Sequence, residues 1–388
     1  MDCQKHLFSL PSEAAYLNVA YQAPLLKSVE EAGIVGLRKK QFPINITRED
    51  FFDPMDTLKQ SFARLIGCGQ HERVAILSSV SYGIAIAAKN IALRNGQNIV
   101  LVDEQFPSNY YTWERLCREK GGALKLIGPG PGDVGRGQRW GEAILNAIND
   151  QTAAVSMGHV HWADGTKFNL KAIGEKCRKY GAKLIVDGTQ SVGALPFDIN
   201  EIKPDALICA GYKWLMGPYS IAVGYFGPHF DGGVPIEENW INRKDSDQFE
   251  KLVKYQDEYR PLAWRYNMGE CSNFIQVPML TAAIDQLVKW TPAAIQDYCA
   301  RLQAPFLSRL KELGCTVEND EFRSQHLFGI KLPENVDVIA LKDELALRNV
   351  FVSIRGAYVR VAPHVYNEPA HFDMLVGAIQ QALQVGAR

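Results

Sequence analysis

No apolar run in this chain approaches the ~20 residues that a membrane helix needs, so no span is expected. The N-terminus, MDCQKHLFSLPSEAAYLNVA, lacks the continuous apolar stretch of a signal peptide, and a cytoplasmic location is the expectation. Basic runs are missing too. Lys+Arg total 42 against 43 Asp+Glu, which argues against a nucleic-acid or membrane-surface partner. The eight cysteines, at positions 3, 68, 117, 177, 209, 271, 299 and 315, contain no CxxC pair. That scatter fits free thiols in a reducing compartment better than a disulfide frame or a zinc site. Repeats and low-complexity tracts are absent. What remains is an ordinary globular balance, 47% hydrophobic and 22% charged, over 388 residues. Such a length holds two domains, or one large domain with an appendage.

Strand-like and helical patterns alternate through the first two thirds. VAIL (74–77), IVLV (99–102), ALKLI (123–127), AAVSMGHV (153–160), AKLIVD (182–187), DALICAG (205–211) and IAVGYFG (221–227) read as strands. Between them, 54–67, 81–93, 108–121, 140–149 and 169–181 carry helical spacing. Continuous apolar strands alternating with helices predict a mostly parallel sheet covered on both faces, with ligands outside the strands' carboxyl ends. After about residue 275 the order changes to helices (278–290, 293–313), then strands (326–332, 350–356, 358–363) and a final helix, which predicts a smaller α+β domain. The stretch 228–264 is charged, aromatic and aperiodic, and reads as a long surface excursion that contacts a partner subunit.

Four strand ends carry chemistry. VAIL runs into SSVSYG, placing Ser79, Ser81 and Gly83 at a helix N-terminus, either a phosphate cradle or a simple serine cap. Strand 153–160 ends in GHVHW; His159 and His161 alternate and so face one side. They read as core or pocket histidines, or as a ring stacked on a flat cofactor. A metal would need a third ligand at a telling spacing, and no metal is expected. Asp187 follows an apolar strand and is either a desolvated carboxylate seeking a cation or a turn cap beside Gly188. Lys213, in CAGYKWLMGP, either snorkels or is a desolvated amine able to form a Schiff base. Pyridoxal 5′-phosphate (PLP) accommodates all four: an aldehyde for the lysine, a ring nitrogen for the carboxylate, a phosphate for the helix end and a ring for an aromatic neighbour. The match of GPGDVG (130–135) to GxGxxG competes, but RGQRW is not expected to open a helix, so a surface loop is the reading.

VDGTQSVGALPFDI followed by CAGYKWLMGP resembles the class V aminotransferase family, the fold-type I PLP enzymes that include cysteine desulfurases, kynureninase-like hydrolases and isopenicillin-N-epimerase-like proteins. YLNVAYQAP (16–24), EQFPSNYYTW (104–113), GHVHWADGT (158–166), RYNMGECSNF (265–274) and IRGAYVRVAPHVYN (354–367) extend the likeness over nearly the whole chain. The resemblance implies a large PLP-binding α/β domain over 16–264 and a small α+β domain over 265–388, joined by 1–15. It implies that Lys213 forms the Schiff base and shuttles the Cα proton, that Asp187 keeps the ring nitrogen protonated, that His159 stacks on the ring and that Gln190 bonds the phenolic oxygen. Ser79, Val80, Ser81 and Tyr212 would hold the phosphate, and Arg355 the substrate carboxylate. Gly269 and Glu270 would reach a neighbouring subunit's site, implying a homodimer with shared sites. Asn18, Tyr21, Asn109 and His161 would wall the substrate pocket. The expected substrate is an α-amino acid reacting through a Cα carbanion. Aminotransferase is the first reading, β-lyase or hydrolase of the C–S lyase or kynureninase kind the second, epimerase the third. A PLP-holding scaffold without turnover is the non-enzymatic alternative. Desulfurases of this family use a persulfide-forming cysteine near Arg355; here no cysteine follows Cys315, which disfavours that reaction.

Overall fold

The structure, a computed structural model, describes residues 1–132 and 135–386. A short strand β1 (Ala15–Tyr16) precedes helices α1 (Lys27–Lys39) and α2 (Glu49–Leu65). Strands and helices then alternate: β2 (Val74–Leu77), α3 (Val80–Lys89), β3 (Asn98–Val102), α4 (Ser108–Lys120), β4 (Ala123–Ile127) and α5 (Arg136–Ala147). The run continues with β5 (Thr152–Gly158), α6 (Leu170–Tyr180), β6 (Lys183–Asp187), α7 (Ile199–Ile202), β7 (Ala206–Ala210) and β8 (Ala222–Phe226). Next come α8 (Gln276–Trp290), α9 (Pro292–Glu312), β9 (Thr316–Val317), β10 (Phe328–Lys331) and α10 (Val338–Leu347). The chain closes with β11 (Val350–Phe351), β12 (Ser353–Arg355), β13 (Tyr358–Val361) and α11 (Pro369–Gly386).

Among the described residues, seven strands form one sheet in the order β2-β8-β7-β6-β5-β3-β4. The neighbours from β4 to β7 pair in parallel, and β8 runs antiparallel to both β2 and β7. The apolar strands follow from this placement: β2, β3, β7 and β8 are buried throughout, whereas the edge strand β4 exposes Ala123 and Leu126. The expected α/β architecture with a mostly parallel sheet and a smaller C-terminal domain is what the chain adopts. Helix α3 lies so close to the sheet that a Cβ at Gly83 would stand 2.8 Å from the Ile208 side chain. Equally tight is the contact of the two motif blocks, where Gly193 takes φ 107° and a Cβ would come within 2.2 Å of the Trp214 carbonyl oxygen.

The small domain is an antiparallel sheet, β12-β13-β10-β9, whose core holds Leu302, Phe306, Phe328, Val359 and Phe372. Ala15 and Leu17 join that core, and β1 pairs in parallel with β11. By contrast, Val277, Leu280, Ile284 and Leu287 of α8 belong to the large core, together with Ile295 and Cys299 of α9. The cores therefore divide within α9, not at residue 265. Helix α5 also departs from expectation, opening at Arg136 directly behind Gly135 at φ 64°, ahead of residue 140. Residues 133 and 134 of the glycine-rich stretch lie outside the described residues. The 228–264 excursion is braced within itself by the ion pairs Arg243–Glu238 and Arg260–Asp247, and is tied to the large domain by Trp240 and Phe249 packed on Phe51.

Candidate active site

The carboxyl ends of β2, β6 and β7 open on one cavity of about 270 Å³. The β2–α3 turn supplies Ser79, Val80 and Ser81; the last residue of β6 is Asp187, and the loop after it supplies Thr189 and Gln190; the loop after β7 supplies Tyr212 and Lys213. Phe106, Trp162 and the 219–221 turn close it. Ser79 caps α3, its Oγ accepting from the Tyr82 amide at 3.1 Å, so the remaining first-turn N–H groups and the positive helix end face the cavity.

Lys213 is 9% exposed, too little for a snorkelling head. Its Nζ lies 5.5 Å from the Phe106 ring and 5.6 Å from that of Tyr212. Burial pulls the ammonium pKa down to about 8; Asp187 pulls it up, and Arg360 and Arg355 push it further down. Asp187 ends β6, and its carboxylate accepts from the Thr189 amide at 3.0 Å. Burial raises its pKa, while Thr189 and the distant charge of Lys213 pull the other way. A buried carboxylate in that state calls for a protonated nitrogen beside it. Gln190 spends its Oε1 on Trp214 Nε1 (2.8 Å) and one amide hydrogen on the Ala20 carbonyl (3.1 Å), leaving one N–H for the cavity.

His159 is not in this cavity. Strand β5 stops at Gly158, where a Cβ would stand 2.9 Å from the Val160 carbonyl oxygen, so the chain kinks and the two-residue alternation ends. The His159 ring packs edge-on to Phe197 at 5.9 Å, and its Nδ1 is buried without a hydrogen-bond partner. The ring that faces Lys213 belongs to Phe106, in the loop between β3 and α4, braced edge-on by Trp162 at 5.4 Å. Phe106 carries its own sequence signal, an aromatic just past a buried strand. Phe106→Ala is expected to weaken PLP retention about tenfold, the worth of one aromatic contact, and His159→Ala to leave it within about twofold. Dialysis followed by absorbance titration measures both.

His161 makes a buried pair, its Nδ1 2.9 Å from Asp164 Oδ1, and its ring lies 4.8 Å from that of Trp140. Burial alone would raise Asp164, but His161, the Thr166 amide and Arg136 hold it below the usual carboxylate range. The histidine borders a small void beside Asp187 and Gln190. Asn109 is not a pocket wall: it is fully buried, its Oδ1 accepting from Trp113 Nε1 and Ser156 Oγ, and it ties α4 to the sheet. Tyr21 is 58% exposed and stands outside the cavity. Gly269 donates its amide to the Glu237 carboxylate, and Glu270 takes φ 56°; neither lines the cavity of its own chain.

Arginine placement also differs from expectation. Arg355 donates to its neighbour's carbonyl on Ile354 and lies 5.8 Å from the Trp162 ring. Arg360, which the sequence reading passed over, is 2% exposed. It donates to the Trp162 carbonyl at 2.8 Å and to Ser353 Oγ at 3.3 Å, and its Nε has no partner. Ser353 Oγ in turn donates to Asn18 Oδ1 at 2.9 Å, so Asn18 supports this arginine. Burial, reinforced by Arg355, brings the Arg360 pKa down to about 10.

Comparison with known proteins decides the family. The aminotransferase class-V model matches residues 46–368. The chain belongs to the class V aminotransferase family. An uncharacterized aminotransferase, YcbU, of Bacillus subtilis is 26% identical over 325 residues, 80% of this chain and 78% of that protein. Isopenicillin N epimerase of Amycolatopsis lactamdurans is 24% identical over 389 residues, 96% of each chain. Among solved structures, the cystine C–S lyase C-DES in complex with cysteine persulfide superposes with TM-score 0.83 at 17% identity, covering 95% of this chain and 97% of that one. A mutant of C-DES with glycine covalently linked to its PLP cofactor gives 0.84 at 17%, covering 97% and 98%. The class V cofactor is pyridoxal 5′-phosphate, and the cavity fits it: a desolvated amine, a buried carboxylate with no contacting cation among the described residues, a capped helix end and an aromatic ring stand around one space. No helix among the described residues is long and apolar enough to cross a membrane.

Proposed function

We propose that this chain is an aminotransferase that removes the Cα proton of an α-amino acid and transfers its amino group to a 2-oxo acid. The observation that carries the reading is the pairing, across one cavity, of an amine at pKa about 8 with a buried carboxylate that no cation touches. When bound, PLP supplies an aldehyde for amine condensation and a ring that draws electrons from Cα. Asp187 would hold the proton on the ring nitrogen. The Lys213 Nζ, whose pKa burial brings down to about 8, would serve as the base that takes the Cα proton. First-turn N–H groups of α3 hold the phosphate. Arg360, which gives one N–H each to the Trp162 carbonyl and Ser353 Oγ and keeps its others, Nε included, would grip the substrate carboxylate beside the Trp162 wall. Apolar and aromatic lining by Phe106, Trp162, Tyr219 and Ile221 suits a substrate with an apolar side chain.

The described cysteines support leaving persulfide chemistry aside: none lines the cavity, and burial, with the charge of Asp187, raises the pKa of Cys209. We also propose a homodimer in which Gly269 and Glu270 approach the partner's site. Tyr255, 95% exposed, and Val253, 82% exposed, are apolar surface that such an interface would cover.

A single-turnover assay without any 2-oxo acid acceptor tests the reaction type. An aminotransferase forms about one equivalent of oxo acid per site and then stops. Continuous release of ammonia with an oxo acid would replace it with the lyase reading. Loss of optical rotation with no oxo acid formed would favour an epimerase. No change to any amino acid would leave the cofactor-holding scaffold.

A further inference from the structure

A second, larger cavity of about 690 Å³ lies away from Lys213 and has no part in the catalytic reading. Leu65, Phe168, Leu195, Pro196, Phe197 and Phe322 give it apolar walls. His159 lies in its floor; burial pushes that imidazole's pKa down to about 3, so the floor is neutral. Cavities of roughly 300–1,000 Å³ with apolar walls and a few placed polar groups are the usual form of small-molecule sites.

The polar groups are asymmetric in what they leave unused. Lys171 is paired with Glu201 at 3.5 Å, and the Asp198 carboxylate accepts from the Asn200 amide at 2.7 Å. Lys167 is half-buried and has no ion pair within 4 Å among the described residues. Burial draws its pKa down, and Asp320 and Glu321 act on it only from a distance. Two long helices begin at the same groove. Helix α6 starts behind Asn169, whose Oδ1 accepts from the Ala172 amide, and α9 behind Thr291, whose Oγ1 accepts from the Ala294 amide. In α6 the Leu170 amide is also spent, on the Phe168 carbonyl at 3.0 Å, and α9 opens on Pro292, which has no N–H. Each end therefore leaves one first-turn donor, the Lys171 and the Ala293 amide, with the positive helix end facing the groove. The Lys167 ammonium, one amide from each helix end and the buried His159 Nδ1, which has no hydrogen-bond partner, stand ready for an anion. The Glu321 carboxylate is free for a cation beside it, and the walls ask for an apolar body.

We propose that this groove binds a small carboxylate with a bulky apolar body, the carboxylate at Lys167 and the first turns of α6 and α9, the body among Phe168, Phe197 and Phe322. The natural form is either an apolar amino acid, whose ammonium Glu321 would receive, or an acid without the amine. The site is independent of the catalytic reading and stands or falls separately from it.

The test is calorimetric titration of the holoenzyme with 3-phenylpropionate, which lacks an amine and so cannot condense with PLP. Saturable binding is expected, with the cofactor's absorbance unmoved. Lys167→Met and Phe322→Ala should each weaken it at least tenfold, while Lys171→Met, whose ammonium is already paired, leaves it within twofold. Melting temperatures near wild type establish that the variants are folded. In the same experiment, displacement by L-phenylalanine that is lost in Glu321→Gln identifies the amino acid as the natural form, and failure to displace identifies the amine-free acid. Absence of binding, binding that survives both weakening variants, or binding that shifts the cofactor absorbance would each overturn the proposal.

Discussion

Replacing Lys213 with alanine is expected to lower kcat by about a thousandfold or more, because one side chain supplies both the cofactor-holding amine and the proton acceptor. The cavity's remaining grips, the α3 first turn, Asp187 and Phe106, stay in place, so PLP should still bind without a covalent link. Borohydride reduction followed by peptide mass spectrometry reads the difference: the peptide containing residue 213 gains the cofactor's mass in wild type and not in the variant. The pH dependence follows from the environment of the amine. With its pKa at about 8, against about 10.5 for an exposed lysine, the neutral fraction of Lys213 rises through pH 8. The rate at which apo-protein captures PLP should therefore climb between pH 7 and 9 and level above. Asp187 is the one neighbour that raises this pKa. Asp187→Asn should thus move the midpoint to lower pH while it also weakens turnover, and a stopped-flow pH series measures the shift. A midpoint that moved upward would mean that the carboxylate does not act on the amine.

The strand ends were legible because desolvation leaves a mark in sequence. A charged residue in or just past an apolar strand, as at Asp187 and Lys213, must find a partner, and the structure brings both to one cavity. The same sign was present in YVRV and was passed over: Val359 and Val361 turn into the small core, and Arg360, between them on the opposite face, is buried beside Trp162. Arg355, by contrast, ends its strand with partial exposure, and nothing in its neighbours marks it as buried. The histidine reading failed for a local reason. Alternation holds only while the strand lasts, and β5 ends one residue before His159. Domain boundaries were less visible still. Helix α8 looks like the start of a helical tail, but its apolar face packs on α1 and α2, which no periodicity in α8 alone reveals.

Arg360→Gln is the substitution expected to separate the two arginines. A buried guanidinium with an unpartnered Nε is pre-organised for a carboxylate, and loss of such a desolvated charge pair costs about 2–5 kcal/mol. That corresponds to a fall of about 30-fold or more in kcat/KM, carried mainly by KM. Arg355→Gln removes a part-exposed charge screened by solvent and should stay within about fivefold. A purely structural role for Arg360, holding Trp162 and Ser353 in place, would also lower activity, so the substrate must discriminate. The amine that corresponds to the preferred amino acid without its carboxylate cannot use the guanidinium. If Arg360 acts on the carboxylate, this amine reacts at similar rates in wild type and Arg360→Gln, and the amino acid alone suffers. Equal losses on both compounds would instead make the arginine a brace for the Trp162 wall. Arg360→Lys completes the comparison, since it keeps a charge but not the fork of donors. It should recover only part of the loss, because an ammonium offers no bidentate grip.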